Sequence, residues 1–109
     1  MSRESEWLEF VLHDDFPSGV EFLEGSRSNH VIVEWEIVGP DDAPRRNAPL
    51  VIVIDADAIG RHEAGNATEQ ARIENRVRDI VAGRITQYDP AGSVAVAEAF
   101  VIQIDEGDL

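Results

Sequence analysis

The segment Leu50-Val51-Ile52-Val53-Ile54 constrains this 109-residue chain more than any other. It is apolar at every position and β-branched after the first. A strand sends alternate side chains to opposite faces, so a run that is apolar throughout needs cover on both sides. Such a run reads as a central strand, and the rest of the chain has to supply its neighbours.

Val20 to Leu23 reads as a short strand, followed by a polar hairpin loop from Glu24 to Asn29. From His30 to Val38, Val31, Val33, Trp35 and Ile37 share one face while Ile32, Glu34, Glu36 and Val38 share the other. One side is apolar and the other mixed, the pattern of a half-buried antiparallel strand. Gly39 to Pro49 carries three prolines, Asp41-Asp42 and Arg45-Arg46, and reads as a surface loop. In the last strand, Ser93 to Ile104, Val94, Val96, Phe100 and Ile102 alternate with Ala95, Ala97, Ala99 and Val101.

Two segments have helical spacing instead. Trp7, Leu8, Val11 and Leu12 recur on one side of Ser5 to His13, with Phe10 beside them. Asn66 followed by Glu69 is a helix start, and Ile73, Val77, Ile80, Val81, Ile85 and Tyr88 make a stripe that runs to about Gln87. Glu74 and Arg78 have the spacing of a favourable pair on that helix. Between Asp55 and Gly65 the pattern allows a single turn capped by Asp57 before Gly60, or an irregular stretch. The order α-β-β-β-α-β predicts one α+β domain over 1–109. Its expected form is a two-layer sandwich, a four-stranded mostly antiparallel sheet with two helices on one face.

Charge bounds the partners. Twenty-two acidic residues face nine basic ones, all arginine, for a net charge of −13. Such a field repels polyanions, so no nucleic-acid ligand and no anionic membrane surface is expected. A basic or apolar protein partner fits it better, as does a metal ion or a very salty cytoplasm. The arginine-only, acid-rich composition resembles that of proteins from halophiles. The chain has no cysteine, which removes disulfides and thiolate chemistry. It has neither an apolar run long enough to span a bilayer nor a signal-peptide pattern, and the expected location is cytoplasmic.

The sharpest chemical pattern is Asp55-Ala56-Asp57 at the end of the apolar run, with His62 and Glu63 close behind. It resembles the Asp-x-Asp strands of polymerases, nucleotidyltransferases and metal-dependent nucleases, where paired carboxylates hold Mg²⁺. Asp55, Asp57, His62 and Glu63 are therefore the candidate metal ligands, with Glu98 or Asp105 as a distant third carboxylate. The competing account is that Asp55 ends the strand and Asp57 caps a turn. His13, His30 and His62 lack zinc-ligand spacing, and no glycine-rich phosphate loop is present. Trp7 and Trp35 are expected in one core. Arg72, Arg76 and Arg78 are expected to bind carboxylates within the protein or between subunits.

A four-stranded sheet with helices on one face leaves the other face open, and a homodimer through that face or through a sheet edge would resolve this. The element order, size and acidity are similar to those of the small dimeric chaperones of type III secretion, which hold partner proteins in extended form. That family continues with a further strand and helix, which this sequence does not supply after Leu109. The resemblance carries no binding residue across. The function expected is a small, acidic, non-enzymatic protein-binding or accessory domain, homodimeric and without a cofactor. The alternative is a divalent-metal-dependent phosphoryl-transfer or hydrolytic enzyme built on Asp55 and Asp57.

Overall fold

The computed structural model describes residues 3–27, 29–38, 42–90 and 99–109. Along the chain run α1 (Arg3–Leu12), β1 (Glu21–Glu24), β2 (His30–Glu34), β3 (Glu36–Val38), β4 (Pro44–Arg46) and β5 (Leu50–Ile54). Then follow α2 (Ala56–Ala64), α3 (Ala67–Ile85) and β6 (Phe100–Ile104). Short 3-10 turns occupy His13–Asp15 and Glu106–Asp108. The fold is α+β.

Four strands make one sheet in the order β1-β2-β5-β6. The apolar run is central, with an antiparallel neighbour on one side and a parallel one on the other. Only the β5–β6 contact is parallel, so the sheet is mixed. A parallel neighbour needs a crossover, and α2 and α3 provide it. The start of the expected last strand, 93–98 with Val94, Ala95, Val96 and Ala97, lies outside the described residues.

The strand expected over His30 to Val38 is interrupted at Trp35, and Asn47 is the reason. Its side-chain oxygen accepts the Trp35 amide at 2.8 Å, and its side-chain nitrogen donates to the Val33 carbonyl at 3.2 Å. Its own backbone amide donates to the Trp35 carbonyl at 3.1 Å. One side chain thus satisfies the groups that β5 no longer reaches. Beyond that point the chain pairs with β4, so part of the expected 39–49 loop is a strand. Asn47 also donates to the Tyr88 hydroxyl at 2.8 Å, and Tyr88 donates to the Ala48 carbonyl.

The Asp55–Gly65 segment is a third helix rather than a single turn. Asp55 ends β5 and caps α2 as well, its carboxylate accepting the Asp57 amide at 2.9 Å. The cap sits two residues earlier than the expected one. Ala58, Ile59 and His62 form the buried stripe of α2, at spacings of one and three. On α3, Asn66 caps as expected by accepting the Glu69 amide at 2.9 Å. The Glu74–Arg78 pair gives way to tertiary partners. Glu74 lies 2.8 Å from His62, and Arg78 donates to the Val11 carbonyl at the open end of α1 at 3.1 Å.

The core lies between the helices and one face of the sheet. Phe22, Val31, Val33, Leu50, Ile52, Ile54, Ile102 and Ile104 meet Leu8 and Val11 of α1, Ile59 of α2, and Ile73 and Val77 of α3. Trp7 and Trp35 join the same cluster. Phe10 does not, being 62% exposed on the outer side of α1.

Candidate functional site

The carboxyl ends of adjacent parallel strands are where open α/β sheets place ligands. Here β5 and β6 end at a shallow hollow of about 490 Å³ lined by Asn29, Val53, Asp55, Ala56, Gln103 and Asp105. Both carboxylates at its edge already have work. Asp55 caps α2, and Asp105 accepts the Gln103 side chain at 3.0 Å while taking part in the C-terminal capping box.

The four candidate ligands do not converge. Asp55 and Asp57 stand at the start of α2, with Asp57 exposed. His62 and Glu63 lie about 10 Å further along, at 1.5 Å of rise per residue. His62 is buried, held by Glu74 at 2.8 Å and met edge-on by Trp7 at a centroid distance of 5.3 Å. Glu63 is exposed and 2.8 Å from Arg3. Among the described residues, no three His, Asp or Glu side chains gather to hold a metal ion. Glu98, a possible third carboxylate, lies outside them. His13 contacts the Glu9 carbonyl and Asp14 at 3.1 and 3.2 Å, apart from the other histidines. The arginine cluster is engaged within the protein. Arg72 pairs with Glu69 at 2.7 Å, Arg76 donates to the Asp108 carbonyl at 2.9 Å, and Arg78 lies 3.7 Å from Asp15. The Arg72 hydrogen bond holds the Glu69 carboxyl below its ordinary range.

The face of the sheet away from the helices has a different character. Register places Leu23, Ile32, Val51 and Val101 side by side across all four strands. The next row toward the carboxyl end of β5 is Gly25, His30, Val53 and Gln103, by the same register and the Gly25–His30 hydrogen bond. Neither row contains a carboxylate. The acids lie beyond them, with Glu21 and Glu34 at one end and Asp55 and Asp105 at the other. Arg46 stands 3.6 Å from Glu21 and 3.9 Å from Glu34, which reduces the charge at that end. A smaller hollow of about 230 Å³ opens beside the apolar row, between Ile32, Val51, Ala48 and Pro49.

Sequence reading anticipated an open apolar face but not this row, because register is a tertiary property that no single strand encodes. The Asn47–Tyr88 bridge was missed as well, since nothing local marks a loop asparagine as a strand surrogate. Among the described residues, no helix is long and apolar enough to cross a membrane. Comparison with family models, curated proteins and solved structures finds no match for this chain.

Proposed function

We propose that the chain is a small acidic, non-enzymatic protein-binding or accessory domain that pairs with a second copy through its open sheet face. The observation that carries this reading is the row Leu23, Ile32, Val51 and Val101, neutral at its centre on a chain of charge −13. Two such chains repel over most of their surfaces. The uncharged middle of this face is where they can approach at least cost and remove apolar surface from water. Strand spacing and rise give the face about 300 Å². A stable interface needs about 800 Å² per partner, so adjoining segments must contribute the rim. Cytoplasmic residence belongs to this reading and rests on the composition. The likeness to secretion chaperones in size and acidity adds no binding residue.

Sedimentation velocity at 0.05 and 1 M NaCl tests it. The expected result is a dimer favoured by salt, because screening shortens from about 14 Å to about 3 Å and weakens the repulsion. Val51→Glu should give a monomer with an unchanged circular dichroism spectrum. A wild-type monomer at every salt and at high micromolar concentration would sink the self-association. The metal-enzyme alternative draws its support from the hollow at the carboxyl ends of β5 and β6, against the use of Asp55 as a helix cap.

A further inference from the structure

The open face carries opposite charges on its two sides at the carboxyl end of β5. On the β5–β6 side, Asp55 and Asp105 follow Ile54 and Ile104, which are in register, and the Asp55 amide donates to the Ile104 carbonyl. Neighbouring strands lie about 4.8 Å apart, so two like charges share that corner. Asp55 caps α2 and Asp105 accepts the Gln103 side chain. A carboxylate has about four acceptor positions, so both keep capacity for a cation.

On the β1–β2 side the same end is closed by a hairpin. Asn29 ties it to the aspartate side, its carbonyl accepting the Ile54 amide at 3.0 Å at the rim of the hollow that Asp55 and Asp105 also line. Arg27 stands exposed in this hairpin, and its side chain has no partner among the described residues. Every other arginine has one.

Sheets packed face to face keep their strands within about 30° of one another. A two-fold axis can then run along the strands or across them. We infer that two copies meet about an axis that runs along the strands, above the boundary of β2 and β5, so that Arg27 of each copy meets Asp55 and Asp105 of the other. The cation on one side and the anions on the other make the face its own complement. The same operation lays the apolar row on itself in reverse, Leu23 over Val101 and Ile32 over Val51. Glu21 and Glu34, beside their own Arg46, come over the neutral Pro49 and Ala99. An axis across the strands would keep Arg27 and the aspartates on separate sides. The two contacts also belong to the rim that so small a face requires. The inference rests on the self-association proposed above and adds the arrangement of the copies. Screening relieves the repulsion between chains of charge −13 more than it weakens two rim contacts, so the wild-type dimer still gains from salt.

Sedimentation velocity on charge-reversed variants tests it. At 0.05 M NaCl, Arg27→Asp should weaken the dimer about ten-fold, because an exposed pair turns repulsive at two symmetric places. At 1 M NaCl the loss should shrink to about two-fold or less. Adding Asp105→Arg should restore the dimer. Adding Glu6→Arg, an equal change of charge on an exposed position of α1, should not. Equal rescue by both would trace the effect to net charge and overturn the arrangement. The cysteine-free chain allows a second measurement without any change of charge. A mixture of the single variants Leu23→Cys and Val101→Cys should be joined by a short bis-maleimide, and neither variant should be joined to itself. Self-joining of each variant would set the axis across the strands and overturn the inference. A wild-type monomer at every salt removes the self-association and this inference with it, whereas a dimer indifferent to Arg27→Asp overturns the arrangement alone.

Discussion

Along the same four strands, alternate side chains meet two different environments. On the helix-bearing face, Val31, Val33, Leu50, Ile52, Ile54, Ile102 and Ile104 are fully enclosed. On the other face, Ile32, Val51 and Val53 are half-buried and Val101 is 42% exposed. The enclosed face is apolar except at Glu24, where β1 ends. The open one is apolar only in its middle and acidic at both ends. Burial by helices demands hydrophobic residues wherever a helix lies, whereas an exposed face keeps them only where something else selects for them. The neutral middle of the open face, on a protein this acidic, is the part that burial within one chain does not explain.

The largest effect should separate these two faces directly. Ile52→Ala removes an enclosed side chain and leaves a cavity, at a cost of about 2–5 kcal/mol. Its neighbour Val51→Ala, in dilute monomeric solution, should cost less than about 1 kcal/mol. Urea denaturation read by tryptophan fluorescence measures both. Equal losses would break the distinction, and would mean that the open face is also covered within the monomer.

A second effect concerns the place where β2 leaves β5. Tyr88 is the only tyrosine, and burial pushes its hydroxyl above the ordinary value near 10, with Asp89 adding to the rise and the Asn47 hydrogen bond opposing it. The folded protein therefore holds this proton more tightly than the unfolded chain does. Its contribution to stability is complete below pH 10 and is lost as pH climbs through the raised folded value. Absorbance near 295 nm should show Tyr88 ionising later than free tyrosine, together with loss of structure. In Tyr88→Phe the alkaline fall in stability should be shallower. Ionisation at the free value in a folded protein would mean that the Asn47–Tyr88 bridge is open to water.

What was legible in the sequence follows from the range of each signal. The Leu50–Ile54 run named its own place in the sheet, because being apolar on both sides is a property of five consecutive residues. The Asn66 cap and the stripe of α3 were equally local. The parallel β5–β6 contact was not, since its direction depends on a crossover through α2, and α2 was hidden. Gly60 lies in its middle, and its buried stripe is only Ala58, Ile59 and His62, too short to stand out by period. The break at Trp35 was invisible because it depends on Asn47, twelve residues away. At the candidate site, the Asp55–Asp57 spacing singles out two carboxylates, and only the tertiary geometry shows that Asp55 caps α2. Glu74 and Arg78 teach the same lesson. Their spacing suits a pair on one helix, but His62 and the open end of α1 are better partners for them once the helices pack.

The smallest effect lies where the open face ends, at Asp55. If its carboxylate serves the helix, Asp55→Ala should cost about 0.5–2 kcal/mol by exposing the Asp57 amide. Asp57→Asn, changing an exposed side chain, should cost a few tenths at most. The same protein should then be indifferent to millimolar Mg²⁺ or Mn²⁺ in a thermal melt. A ligand that binds only the folded state must raise the melting temperature, so a clear metal-dependent rise would show cation binding without locating it at Asp55. Asp55→Asn tells the two roles apart. Asparagine caps a helix nearly as well as aspartate but is a poorer ligand for a hard cation, so the cap reading expects near-wild-type stability and no response to metal. A metal-induced rise that disappears in Asp55→Asn would make the acidic end of the open face the working part of the molecule, and its neutral middle the bystander.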